Sequence, residues 1–168
     1  MTNPVLFITS FVMTVPHFFA VCFYGGPAVL QVLYLLGPCT SVLNHGTTSP
    51  WTLWLDRTVM TVGCLIDIWY ARQLPLQQSL TVLAFTVLAV VLYVCAKLSV
   101  EYYHVSYGIV FHVASHVCVS VSHVAMLFYY SKMTEVYYSL KSSLLLHHRH
   151  LLTPLSPCQN EAVTQALP

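Results

Sequence analysis

Residues 80–96 read "LTVLAFTVLAVVLYVCA", a run with no charged side chain and no amide. A helix needs about 20 apolar residues to cross the hydrocarbon core of a bilayer. This run comes close to that length. Four more stretches of the same kind accompany it: Val5–Tyr24, Ala28–Asn44, Trp51–Tyr70 and Tyr107–Tyr130. The chain has 168 residues, 57% hydrophobic and only 7% charged, with a mean hydropathy of +0.72. A soluble domain carries about a quarter charged residues and cannot cover its surface with so few. The expected fold is therefore an all-α, polytopic membrane helix bundle of about five transmembrane helices.

The breaks between the apolar runs carry turn chemistry: "YGGP" at 24–27, "HGTTSP" at 45–50, "ARQLPLQQ" at 71–78 and "KLSVEYYH" at 97–104. Trp51, Trp54, Trp69, Tyr70, Tyr129 and Tyr130 gather at segment ends, as an aromatic belt does. Pro16 and the Gly37-Pro38 pair are expected to kink the first and second helices. The first segment lacks a basic amino-terminal region, so it reads as a retained helix and not a cleaved signal peptide. From Ser131 the sequence turns polar. The organisation expected is a transmembrane bundle over 1–131 and a partly disordered cytoplasmic tail over 132–168, a surface helix followed by disorder. Arg72, Lys132, Lys141 and Arg149 fall on one side and Lys97 on the other, which puts the amino terminus outside or in a lumen. The compartment is then an endomembrane of the ER or Golgi, or the plasma membrane.

A formal charge of +1 leaves no basic face for nucleic acid and no acidic tail. Cys22, Cys39, Cys64, Cys95 and Cys118 lie in apolar stretches and only Cys158 in the tail. With no CxxC pair, they read as unpaired packing residues. Nine histidines outnumber the six Lys+Arg and the five Asp+Glu. Histidine is the commonest metal ligand and a proton-transfer group, so its placement is the question to ask.

In any five-helix arrangement the end of helix two and the starts of helices three and five share one membrane side. The costly residues sit there. Ser41 and His45 are spaced i,i+4 at the end of helix two, Asp56 and Arg57 open helix three, and His112 and His116 repeat the i,i+4 spacing in helix five. An ionisable group inside a spanning segment costs a few kcal/mol and by default marks a function. A catalytic zinc takes three protein ligands and keeps one position for water. His112 and His116 supply two imidazoles from one helix face, and His45 is the candidate third. Asp56 would orient or deprotonate the water, and Ser41 would donate to Asp56 or to an oxyanion on a substrate carbonyl. Each piece has a plainer alternative. Ser41 can bond back to its own helix, His45 can be a loop residue, and Asp56 can pair with Arg57 at the headgroups.

The order Ser-x-x-x-His, Asp, His-x-x-x-His resembles a superfamily of membrane hydrolases. It contains the alkaline ceramidases, the adiponectin and progestin receptors, a group of membrane lipid-remodelling proteins and the myomaker relatives. The match falls on Ser41, His45, Asp56, His112 and His116, and the step from His45 to Asp56 looks most like the ceramidase spacing. The resemblance implies that the three histidines hold Zn2+, while Asp56 and Ser41 assist attack on the amide or ester of a membrane lipid. The chain offers five helices and lacks two of those in the family core. Those two would leave a wall of the lipid pocket open unless a second copy or a partner membrane protein closes it. A non-catalytic membrane protein of the same descent, with a structural, fusion, trafficking or receptor role, is the alternative.

Other polar residues have weaker readings. His123 shares a face with His112 and His116. It extends a polar channel, holds a metal ligand in place or bonds to a neighbouring helix. Asp67 lies about 16 Å deeper than Asp56; it is either a proton-path residue or sits at the opposite interface beside Trp69, Tyr70 and Arg72, and the interface is the expected place. His17, beside Pro16, has no assigned role. His147, His148 and His150 around Arg149 read as a solvated or headgroup-facing cluster.

Overall fold

The structure, a computed structural model, describes residues 3–102 and 104–152, with side chains described as far as Leu146. The expected disorder after residue 152, Cys158, and the His147, His148 and His150 side chains all lie outside those described residues. The chain is all-helical, in the order α1 (Pro4–Tyr24), α2 (Ala28–Gly46), α3 (Pro50–Ala71), α4 (Leu76–Tyr102) and α5 (Val105–Leu152). Residues up to Ser131 form one compact unit and the chain from Lys132 a second.

Local chemistry sets the helix ends. Asn3 caps α1, its Oδ1 accepting from the Leu6 amide at 3.1 Å, with proline in the first turn. Gly25 and Gly26 follow α1 with φ of 64° and 106°, a conformation that costs glycine little. This turn lets α2 run back along α1. At the other end Thr47 Oγ1 donates to the Leu43 carbonyl at 2.9 Å and lies 2.8 Å from Thr52 Oγ1. These bonds hold the short connection that sets α3 against α2. Prolines at 50 and 75 then start or precede α3 and α4. Pro16 and Pro38 lie within continuous helices, so neither expected kink divides its helix.

Among the described residues, three helices are long and apolar enough to cross a membrane: α1, α4 and the Val105–Leu146 part of α5. Only 17%, 28% and 22% of their most apolar windows are buried within protein, so most of each surface faces outward. Phe11, Phe18, Phe19 and Phe23 on α1, and Val87, Val90, Val91 and Val94 on α4, are among these exposed apolar side chains. The α2 and α3 helices carry Asn44, His45, Asp56, Arg57 and Asp67 and are not among those three. Threonines keep their hydroxyls satisfied within their own helices, as in Thr9 to Val5 O, Thr58 to Trp54 O and Thr81 to Gln77 O.

The α5 helix reaches all four others. Ser115 Oγ donates to Ala89 O of α4 at 2.8 Å, and Ser122 Oγ lies 2.8 Å from Thr86 Oγ1 of the same helix. Tyr130 donates to Tyr70 O of α3 at 2.9 Å, Tyr34 of α2 stacks on His123, and His17 of α1 bonds His123. The buried face of α4 is a stripe of small residues, Ser79, Val82, Thr86, Ala89, Ala96 and Ser99. Such stripes let helix backbones approach closely where the hydrophobic effect cannot drive association. At the α4–α5 turn the fit is tightest: a Cβ on Gly108 would collide with Val100 Cγ2 and come within 3.0 Å of Ala96 O.

The apolar core occupies one half of the bundle, where Leu30, Tyr34, Val82, Met126 and Leu127 are fully buried. Short turns make successive helices antiparallel, so the other half holds the start of α1, the end of α2, the start of α3, the end of α4 and the start of α5. Cavities and polar side chains fill that half. Five described cysteines are free: Cys22, Cys39, Cys64, Cys95 and Cys118. Helix α5 runs on to Leu152, past the expected end at Tyr130. The polar composition after Ser131 does not break it, because that stretch contains neither glycine nor proline before Pro154.

Candidate metal centre

His45 is the penultimate residue of α2 and lies on the helix, not in the loop. His112 and His116 occupy successive turns of α5, with ring centroids 4.9 Å apart. The His45 ring lies 5.1 Å from His112 and 6.0 Å from His116, nearly perpendicular to both. One nitrogen from each ring can be chosen so that all three lie within 4.8 Å of one another. Nitrogens sharing a tetrahedral zinc at about 2.0–2.1 Å are about 3.4 Å apart, so small ring rotations close the gap.

Hydrogen bonding sharpens the point. The Nε2 atoms of His45 and His116 are buried and have no hydrogen-bond partner. A buried polar atom left unpaired costs about 1–3 kcal/mol, and two such atoms on adjoining rings share one remedy. A cation between them satisfies both lone pairs at once. The donor set of three neutral imidazoles suits zinc and other late divalent metals. The residues present therefore fit such an ion.

Asp56 is the carboxylate on the wall of the cavity that His45 and His112 line. Asn44 Nδ2 donates to its Oδ2 at 2.8 Å and Thr40 Oγ1 to its Oδ1 at 3.4 Å. Both partners belong to α2, so the helix that carries His45 also fixes the carboxylate. Among the described residues no ion pair joins Asp56 to Arg57, and the headgroup-pair reading does not hold. Asp56, His45, His112, Tyr93 and Lys97 line one cavity of about 500 Å³. A second cavity of about 500 Å³ runs between α3 and α4 over α5. It is lined by Met60, Cys64, Ala89, Val90 and Val119, with Asp56, Arg57 and Lys97 also on its wall.

Ser41 sits elsewhere. It is buried and its Oγ lies 3.1 Å from Ser10 Oγ of α1. It lines a cavity of about 20 Å³ with Ser10, His17, His116 and Ser120. The expected Ser41–Asp56 hydrogen bond is not formed, because Asn44 and Thr40 hold the carboxylate on the α3 side while Ser41 turns to α1. Nor does Ser41 bond back to its own helix. Sequence reasoning missed Asn44, Thr40 and Ser10 as partners. Asn44 was visible, since it lies beside His45 and twelve residues before Asp56, but amides at helix ends are too common to single one out.

A second polar cluster lies deeper. His17 Nδ1 is 2.7 Å from Met13 O, and its Nε2 is 2.9 Å from His123 Nδ1. His123 Nε2 is 3.1 Å from Asp67 Oδ2, and Tyr34 donates to Asp67 Oδ1 at 2.6 Å. Asp67 is only 2% exposed. The expected interfacial position is thus wrong: Trp69 and Arg72 do lie outside, where Arg72 stacks over the Trp69 ring, but Asp67 faces the bundle. His123 bonds to neighbouring helices and not to a metal ligand. His17 acquires a partner that no local sequence signal pointed to.

Comparison with protein-family models, with characterised proteins and with solved structures returned no match.

Proposed function

We propose that this chain is a five-span membrane protein of the hydrolase superfamily its motif resembles, with zinc held by His45, His112 and His116, and that it cleaves an amide or ester of a membrane lipid. The observation that carries the reading is the pair of unpartnered buried nitrogens, His45 Nε2 and His116 Nε2, beside a third imidazole. Zinc bound there would supply a Lewis acid and lower the pKa of a water towards neutrality. The chain's own groups supply the rest. Asp56, oriented by Asn44 and Thr40, accepts the proton of the attacking water. The groove between α3 and α4 receives an acyl chain along Met60, Ala89, Val90 and Val119. A second copy or a partner membrane protein closes the flank that two further helices cover in the family. In this topology α2 and α3 cross the membrane as well, with the amino terminus outside or lumenal and the carboxyl terminus cytoplasmic, in an endomembrane or the plasma membrane.

Metal analysis of purified protein tests the site, with His45→Ala and His112→Ala beside the wild type. Stoichiometric zinc in the wild type and its loss in both variants is the expected result. Wild type without stoichiometric metal after zinc supplementation ends the reading. One observation favours a second function. Ser41 is tied to Ser10 and not to Asp56, which suits a metal-binding but non-catalytic relative. In that case Ser41→Ala and Asp56→Ala leave the protein's cellular activity unchanged. A lipid hydrolase loses turnover in Asp56→Ala while keeping its metal.

A further inference from the structure

The cluster of His17, His123, Asp67 and Tyr34 stands apart from the three-histidine centre and takes no part in the reaction proposed for it. Four hydrogen bonds connect it in a line across α1, α5, α3 and α2. The hydrogens can be placed from the outside inward. Met13 O only accepts, so His17 Nδ1 carries a hydrogen. Tyr34 spends its hydroxyl hydrogen on Asp67 Oδ1. Two contacts remain, His17 Nε2 to His123 Nδ1 at 2.9 Å and His123 Nε2 to Asp67 Oδ2 at 3.1 Å. Each needs one hydrogen, and either atom can carry it.

That leaves three arrangements which keep every bond and make no imidazolate. Asp67 is protonated and both rings are neutral; or Asp67 is a carboxylate and His123 an imidazolium; or Asp67 is a carboxylate and His17 the imidazolium. The sum of charge is the same in all three. We infer that Asp67, His123 and His17 form an intramembrane proton relay, in which His123 passes a proton between the carboxylate and the second ring. The full transfer balances as follows. The Asp67 Oδ2–H bond breaks as a His123 Nε2–H bond forms. The His123 Nδ1–H bond breaks as a His17 Nε2–H bond forms. One positive charge has moved from the Asp67 side to His17, and His123 has exchanged one neutral tautomer for the other.

Two small cavities flank the relay. One of about 20 Å³ touches Asp67, His123, Ser122, Thr86 and Cys64. The other, also about 20 Å³, touches His17, His123, Ser10, Ser41, His116 and Ser120. A single water needs about 10–15 Å³ and two to four polar partners, and both cavities provide them. Ser120 Oγ is buried with no partner, as a wall atom of a water site would be. The first cavity shares Met60, Cys64 and Val119 with the large groove, which gives Asp67 an exchange route to that groove. The second brings the charge on His17 to hydroxyls that can solvate it. Other titratable groups around the relay are Tyr34 on α2, Cys64 on α3 and His116 on α5. Chains of Asp and His buried in membrane helices are proton paths in pumps and transporters, and the relay needs no metal to operate.

Histidine-selective 15N NMR on the full chain in phosphatidylcholine bilayers, prepared with chelator, tests this across a temperature series at fixed pH, because the three arrangements hold the same number of protons and pH does not shift their ratio. In the wild type, His123 should show hydrogen on Nδ1 and on Nε2 in populations that change with temperature, and His17 should gain Nε2–H as His123 loses Nδ1–H. Asp67→Asn should collapse His123 to one tautomer, because a carboxamide does not release its hydrogen. Tyr34→Phe should leave the exchange in place. A single tautomer of His123 at every temperature in the wild type overturns the relay and makes the cluster a static hydrogen-bond network. Unaltered exchange in folded Asp67→Asn overturns it as well. The wild-type temperature series decides the matter even where the variant does not fold.

Discussion

Replacing His116 by leucine separates a metal ligand from a packed core histidine, because the two roles predict opposite signs. His116 Nε2 is buried without a hydrogen-bond partner, and such an atom costs about 1–3 kcal/mol. Leucine fills similar volume on a helix, has high helix propensity and brings no polar atom. Metal-free His116→Leu should therefore be more stable than the metal-free wild type by about 1–3 kcal/mol. Zinc at a hundred times its dissociation constant should stabilise the wild type by about 2.7 kcal/mol and the variant by nearly nothing. His123→Leu is the control on the same helix face. His123 bonds on both ring nitrogens, to His17 and Asp67, so its loss strands two buried partners and lowers stability with or without zinc. Denaturant-induced unfolding in detergent micelles, with chelator or with zinc, reads all six cases. A metal-free His116→Leu less stable than wild type, or a zinc shift equal in both, refutes the ligand assignment.

Acidification should weaken zinc binding, since protons and metal compete for the same three lone pairs; titration with a competing chelating dye at falling pH should show a rising dissociation constant. Asp67→Ala should lower unfolding free energy by about 1–3 kcal/mol by orphaning the Tyr34 hydroxyl and His123 Nε2, while Asp67→Asn retains the Tyr34 bond and costs less in the same unfolding assay. Gly108→Ala should destabilise the bundle by about 1–3 kcal/mol through overpacking at Val100 and Ala96 O, seen as a lower unfolding midpoint. Asp56→Asn should keep stoichiometric zinc by elemental analysis and lose lipid hydrolysis in a fluorescent-substrate assay.

Much of the architecture could be read from local pattern. The helix over residues 80–96 was plain because nothing in it competes with an apolar run, and the structure only lengthens it to Leu76–Tyr102. The His45, His112 and His116 cluster followed from parity and i,i+4 spacing, two properties that survive ignorance of how the helices pack. What failed was anything dependent on rotation about a helix axis. Asp67 near the end of α3 has Trp69 and Arg72 as neighbours in sequence but Tyr34 and His123 in space, and only packing against α2 and α5 decides which set it joins. Ser41 has the same history: Asp56 and Ser10 were both within reach of α2, and its rotamer chose α1.

Two histidines of α5, His116 and His123, provide an internal comparison that bears on what the protein holds. His116 and His123 are seven residues apart, about 10.5 Å along one helix face, and both sit inside the bundle. His123 is satisfied on both nitrogens by fixed protein partners. His116 is left with a bare Nε2 in the company of a second bare Nε2 from His45. The same helix and the same residue type produce a closed polar network at one depth and an open one at the other. A fold that could pair its deeper histidine across three helices had the means to pair the shallower one, since Ser41, Ser10 and Ser120 line the same small cavity as His116. Leaving those nitrogens free, at about 1–3 kcal/mol each, is consistent with a ligand that enters from the cavity shared by His45, His112 and Asp56.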